Sequence, residues 1–145
     1  MSNRSLASIL IVDDNGTVRE LLRGILRSVE HADYEVIGSA TDCETAMEQA
    51  LKLRPDIVCL DILMPKGNGL DVLAQIRKEL PQTVVLMVTG SSDSGTVKAA
   101  LDAGASGYII KPFNSATVLS MVDQAVEKSR ELKAAARKSS DPATP

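Results

Sequence analysis

The sequence predicts an α/β protein: one doubly wound sheet of five parallel strands with five helices packed on its two faces. Two observations carry this. Short apolar runs of strand length alternate five times with longer segments of helical spacing. Three of the runs are nearly continuous in apolar residues, as strands buried on both faces of a parallel sheet are, rather than alternating like a sheet wet on one side.

The first run is Ser8–Val12. After it, Val18, Leu21, Leu22, Ile25, Leu26 and Val29 fall on one stripe of a helix, with Asp14 or Asn15 as its cap. The only histidine, His31, lies in the polar segment Ser28–Tyr34 and reads as a solvated helix end. The second strand is Tyr34–Ile37, and Cys43, Ala46, Met47, Ala50 and Leu51 repeat the helical stripe behind Thr41 or Asp42. Ile57–Leu60 is the third strand; the stripe Val72, Leu73, Ile76 and Leu80 follows and stops at Pro81. Val84–Val88 precedes a short helix, Ser94–Ala103, which Gly104 ends in a left-handed conformation. A weaker fifth strand, Gly107–Ile110, leads to Val118, Leu119, Val122 and Val126 on a last helix capped by Asn114 or Ser115. Parallel strands need crossovers of this length, and right-handed crossovers place helices on both faces. The domain is expected over residues 1–127, with 128–145 as a polar extension of the last helix that frays into a flexible tail.

Composition narrows the function. A chain of 145 residues fits one domain, and 44% apolar with 24% charged residues is the balance of a globular protein. Only Tyr34, Tyr108 and Phe113 are aromatic, so base-stacking platforms are poorly supplied. Sixteen basic against nineteen acidic side chains give a net charge of −3, the wrong sign for a generic nucleic-acid binder. No apolar run is long enough for a bilayer, and Met1–Ser8 lacks the apolar stretch of a signal peptide. Cys43 and Cys59 are too few for a disulfide scaffold and read as buried apolar residues, so a cytoplasmic protein is expected.

In a doubly wound sheet, ligands bind beyond the carboxyl ends of the strands, where the strand order reverses. The first strand ends in Asp13-Asp14, the third in Asp61, the fourth in Thr89 followed by Gly90 and Ser91, and the fifth in Lys111-Pro112. Three carboxylates at one edge repel: a pair about 4 Å apart costs roughly 4 kcal/mol at an effective dielectric of 20. Lys111 is the one cation the strand ends supply. Oxygen ligands without His or Cys point to a hard divalent cation, Mg2+. Mg2+ commonly takes one or two carboxylates and a phosphoryl oxygen, which leaves a third carboxylate as a nucleophile able to form an aspartyl phosphate. Lys111 and the Thr89 hydroxyl would then meet the phosphoryl oxygens. Taken singly, Asp14 could be a helix cap, Thr89 a β-branched strand terminus and Lys111 a surface charge. Those readings do not supply the coincidence at four strand ends.

The segments ILIVDDNGTVRELL, DIVCLDILMPKGNGLDVL, VVLMVTG and GYIIKPF resemble the receiver domains of two-component response regulators, the family of the chemotaxis regulator. The resemblance runs from about Ala7 to Val126 and implies a flavodoxin-like sheet of order 2-1-3-4-5. It implies that Asp61 accepts a phosphoryl group from a phosphohistidine on a sensor histidine kinase or a histidine phosphotransfer protein. Asp13, Asp14 and the Leu63 carbonyl would position Mg2+ beside Asp61, and Lys111, before a cis Pro112, would pair with the phosphoryl group. Thr89 and Tyr108 would form the switch, Tyr108 moving between exposed and buried rotamers, although a plain strand-edge aromatic serves nearly as well on sequence grounds. The surface of the fourth helix, fifth strand and fifth helix would dock a downstream protein target, and the oligomeric state stays open, a homodimer through that face included. Leu63 and Ser91 occupy the positions that tune phosphoryl lifetime in the family; the apolar Leu63 cannot orient an attacking water, so self-dephosphorylation is expected to be slow. Gly67 and Gly69, beside the phosphoacceptor loop, suggest positive φ, with loop flexibility as the alternative.

Rival readings fit less well. A flavin or nucleotide enzyme on this fold needs a neutral Ser/Thr/Gly-rich loop after the first strand, where VDDNG presents carboxylates. A phosphatase of the haloacid dehalogenase type needs a second Asp where Leu63 stands. A degenerate receiver acting as a phosphorylation-independent docking module is the stronger alternative, yet none of the five key side chains is missing. The protein is expected to be no enzyme beyond its own phosphorylation and dephosphorylation, and to act through protein contacts, without binding nucleic acid or membrane directly. It would do so as a stand-alone regulator or as the excised receiver of a larger one.

Overall fold

The computed structural model describes residues 6–90 and 94–140, the side chains of 138–140 excepted. Ser91 and the Ser/Pro/Thr end therefore lie outside the described residues. The main sheet contains β1 (Ala7–Val12), β2 (Tyr34–Ala40), β3 (Ile57–Leu60), β6 (Val84–Thr89) and β7 (Gly107–Ile110). Their order is β2-β1-β3-β6-β7, all parallel, so the doubly wound 2-1-3-4-5 arrangement holds, β6 and β7 being its fourth and fifth strands. β1, β3 and β6 are buried almost throughout, as their unbroken apolar runs require.

Helices α1 (Gly16–Arg27), α2 (Cys43–Leu53), α3 (Gly69–Glu79), α4 (Ser94–Asp102) and α5 (Ser115–Ser140) connect the strands. The sheet divides the core in two. Leu10, Val58, Leu60, Val85 and Met87 face α2 and α3, while Ile9, Ile11, Cys59, Leu86 and Ile109 face α1 and α5. The caps resolve as local hydrogen bonding dictates. The Asn15 side chain accepts from the Thr17 and Val18 amides, Asp42 forms a reciprocal capping box with Thr45, and Asn114 accepts from the Thr117 amide. Gly104 has φ +108°, His31 is exposed, and the Lys111–Pro112 bond is cis, all as expected.

Three features differ from expectation. β2 continues past Ile37 to Ala40 because its register with β1 shifts after Ile9, passing over Ile37 so that Gly38 pairs with Leu10. The loop after Asp61 carries an unpredicted two-stranded antiparallel hairpin, β4 (Leu63–Met64) and β5 (Gly67–Asn68). Gly67 has φ +136°, but Gly69 does not have positive φ. Gly69 opens α3, and its need for glycine is steric: a Cβ there would lie 2.2 Å from the Asp61 carbonyl oxygen and 2.6 Å from the Ile62 Cα.

The division expected at residue 127 falls inside α5, which runs unbroken to Ser140. Ser129 is buried and Leu132 packs against the α1/α5 side of the core. Lys133 Nζ meets Asp56 Oδ1 at 2.6 Å, and the Arg130 guanidinium lies 3.7 Å from Asp33 Oδ2. The extension through Lys133 is thus anchored along the edge where the strands begin, opposite their carboxyl ends.

Candidate functional site

Asp13, Asp61 and Lys111 lie one step beyond strand ends and Thr89 at one, while Asp14 follows Asp13, Leu63 opens β4 and Tyr108 lies within β7; the first three keep their amides in the neighbouring ladder. The Asp13 amide donates to the Ala40 carbonyl, the Asp61 amide to Val12, and the Lys111 amide to Thr89. Parallel pairing of β1 with β3 and of β6 with β7 thus aligns four chain segments distant in sequence. Gly69 completes the arrangement by letting the first turn of α3 close on the Asp61 backbone, where its amide donates to the Ile62 carbonyl at 2.7 Å.

The side chains converge. One carboxylate oxygen from each of Asp13, Asp14 and Asp61 lies within 4.8 Å of the others. Asp13 and Asp61 are buried and Asp14 is exposed. Lys111 Nζ bridges the buried pair, 2.7 Å from Asp13 Oδ2 and 3.1 Å from Asp61 Oδ2. Burial lowers the lysine's proton affinity, but its hydrogen bonds to Asp13 and Asp61 and their charges outweigh that and hold it above the ordinary value. The second oxygens are engaged as well: Asp13 Oδ1 accepts from the Asn15 amide at 2.9 Å, and Asp61 Oδ1 from the Leu63 amide at 3.3 Å.

The donor set fits a small hard cation. Two oxygens on opposite sides of an octahedral Mg2+ are about 4.2 Å apart. Of three ligands only one pair can be opposite and the rest are about 3 Å apart, so three acids within 4.8 Å would share such an ion by drawing together or with one ligand through water. Leu63 touches the cluster through its amide, and its side chain is 70% exposed beside Asp61, so this apolar group holds no water there by hydrogen bonding. Thr89 is fully buried at the end of β6. Tyr108 is half-buried, paired with Met87 in the sheet and packed on the α2/α3 side of the core.

One participant escaped the sequence. Arg19 Nη1 donates to the Asp13 carbonyl at 2.7 Å, bracing the first acid from α1. Its visible signal is a cation near the start of a helix whose first turn carries no acid, against the preference of the helix dipole.

The response regulator receiver domain model matches residues 9–123. The chain belongs to the response regulator receiver domain family. This receiver domain is 36% identical over 116 residues to the chemotaxis protein CheY of Thermotoga maritima, covering 80% of this chain and 94% of that one. It is 40% identical over 117 residues to the transcriptional regulatory protein LnrK of Bacillus subtilis, covering 81% of this chain and 52% of LnrK. The chain thus spans about half the length of LnrK and nearly all of CheY. Among solved structures, the CheY-like receiver domain protein of Methanospirillum hungatei JF-1 superposes with a TM-score of 0.78 at 29% identity, covering 88% of this chain and 99% of that one. The family is that of two-component systems, and the acidic pocket of this member is compatible with Mg2+. No helix among the described residues is long and apolar enough to cross a membrane.

Proposed function

We propose that this receiver domain takes a phosphoryl group from a phosphohistidine onto Asp61 and passes the signal on through protein contacts. The observation that carries this reading is the Lys111 ammonium bridging Asp13 and Asp61 within a cluster of three acids. Asp61 is the acid best suited to attack. Lys111 and the Leu63 amide orient its carboxylate, and burial strips it of most water. In the transfer, an Asp61 oxygen forms a bond to phosphorus as the P–N bond to the donor imidazole breaks, and the departing nitrogen keeps the electron pair and takes up a proton.

Asp13, Asp14, Asp61 and the Leu63 carbonyl would hold Mg2+, which supplies charge neutralisation for the phosphoryl oxygens when bound. Lys111 then exchanges a carboxylate contact for a phosphoryl oxygen, keeping its charge compensated. Thr89 donates its hydroxyl to another phosphoryl oxygen, and Tyr108 follows on the adjoining strand. This is a two-state element biased by a new anion. The partners are a sensor histidine kinase or a histidine phosphotransfer protein upstream and a protein target downstream. The apolar Leu63 side chain leaves hydrolysis without a water-orienting group, which favours a long-lived phosphoryl state.

The test is binding of beryllofluoride, a phosphoryl mimic, with and without Mg2+. Mg2+-dependent binding that is lost in Asp61→Asn supports phosphoacceptor chemistry. Absence of binding in the unmutated protein would leave a docking-only receiver and sink the proposal.

A further inference from the structure

A second cleft lies at the far end of the sheet, remote from the acidic cluster. It has a volume of about 450 Å³, within the range of small-molecule sites. Its apolar lining comes from Leu86, Ala105, Met121, Ala125 and Leu132. Among the described residues, the charged groups bordering it are Arg77 of α3 and Lys128 of α5; the acids nearest on α5, Asp123, Glu127 and Glu131, line an adjoining hollow that shares Gln124 and Lys128. An apolar floor under two cations is the pattern that recognises an amphiphilic anion.

Arg77 is held in place for this. Its Nη1 donates to the Thr83 carbonyl at 2.6 Å, and its Cγ, Cδ and Nε lie against Gly104, where a Cβ would come within 3.0–3.2 Å. That bond commits one of the five N–H donors of the guanidinium. Lys128 and Leu132 belong to the α5 extension, past the residues 9–123 that the family model covers. The outer part of the wall is therefore made by a segment anchored through Lys133–Asp56, and the rest by the common core of the domain.

We infer that this cleft is a binding site for a small organic acid with a hydrocarbon body, its carboxylate between Arg77 and Lys128 and its chain on the apolar floor. The site abuts Ser106, two residues before Tyr108, so an occupant would touch the entry to the strand that carries the expected switch.

The experiment is an amide NMR titration of the full chain with sodium octanoate as probe. Saturable shifts centred on Gly104–Ser106 and on the α5 residues from Met121 to Leu132 are expected. Lys128 and Gln124 are exposed, so changes there leave the fold intact. Lys128→Glu should weaken octanoate about tenfold, and Gln124→Trp should block the cleft. Equal binding of uncharged 1-octanol, shifts that fail to saturate, or undiminished binding by Lys128→Glu would overturn the inference. So would a concentration-dependent dimer, detected by sedimentation, that covers Lys128 and Gln124, because the occupant would then be a second copy.

Discussion

Asp14→Asn should raise stability and abolish Mg2+ binding at once. The acidic cluster is a strained charge arrangement: Asp14 has two acidic neighbours within 4.8 Å. At that separation each repulsion is about 3.5 kcal/mol for a dielectric of 20 and about 0.9 kcal/mol in bulk water. Asp14 is exposed, so solvent screening keeps each repulsion near the bulk-water value of about 0.9 kcal/mol. Neutralising it also forfeits long-range attraction to Lys111 and a favourable position just before the α1 N-terminus, the latter worth roughly 0.3–1 kcal/mol. A net gain of at most about 1 kcal/mol remains, up to about 3 °C in Tm for a domain of this size. Urea unfolding followed by circular dichroism in EDTA and in excess MgCl2 separates the two effects. Mg2+ at tenfold its Kd should stabilise the unmutated protein by about 1.4 kcal/mol and leave Asp14→Asn unmoved. A variant that is less stable in EDTA, or that keeps the full Mg2+ gain, would refute the electrostatic reasoning.

Gly69→Ala should cost about 2 kcal/mol or more and abolish beryllofluoride binding, because its Cβ meets the Asp61 and Ile62 backbone rather than a movable side-chain tip; unfolding curves and a binding titration read both. Backbone and side-chain hydrogen bonds from Thr45 hold the Asp42 carboxyl below its usual range, so its contribution is present near neutrality and is lost as pH falls through that lowered value. The Tm difference between the unmutated protein and Asp42→Ala should accordingly shrink as pH is taken below the ordinary carboxylate range, while Asp42→Asn keeps its cap at every pH. Burial pushes the Cys59 thiol up to about 12, so a thiol reagent near pH 8 should leave it unlabelled until the protein is unfolded. Truncation after Glu127 removes buried Ser129, half-buried Leu132 and the Lys133–Asp56 contact; the loss should be about 2 kcal/mol, measured by urea unfolding, since Lys133 remains partly exposed.

The site was legible because its geometry follows from the sheet alone. Once β1, β3, β6 and β7 are parallel neighbours, residues 13, 61, 89 and 111 must share one edge, and each announces a strand end by breaking an apolar run. Arg19 was hard to read because its partner is a main-chain carbonyl, which leaves no mark on residue type; the one trace is a cation near the start of a helix whose first turn carries no acid. The hairpin after Asp61 escaped for a related reason: two-residue strands are too short to show periodicity, and Pro65 and Gly67 signal a turn without saying what flanks it.

The α5 extension shows how small residues hide packing. Its inner stripe continues the spacing of Val118, Val122 and Ala125 through Ser129 and Leu132, alternating four and three residues apart. Ser129 counts as polar in any hydropathy pattern, so the apolar stripe stops near Val126 in the sequence, and the basic residues beyond it suggest solvent. Ser129 is nonetheless buried, and lysine or arginine can lay an aliphatic stem on the protein while its charge meets Asp56 or Asp33. The acids at the strand entries pair with the cations of the extension. A segment that looks solvated in one dimension is anchored in three.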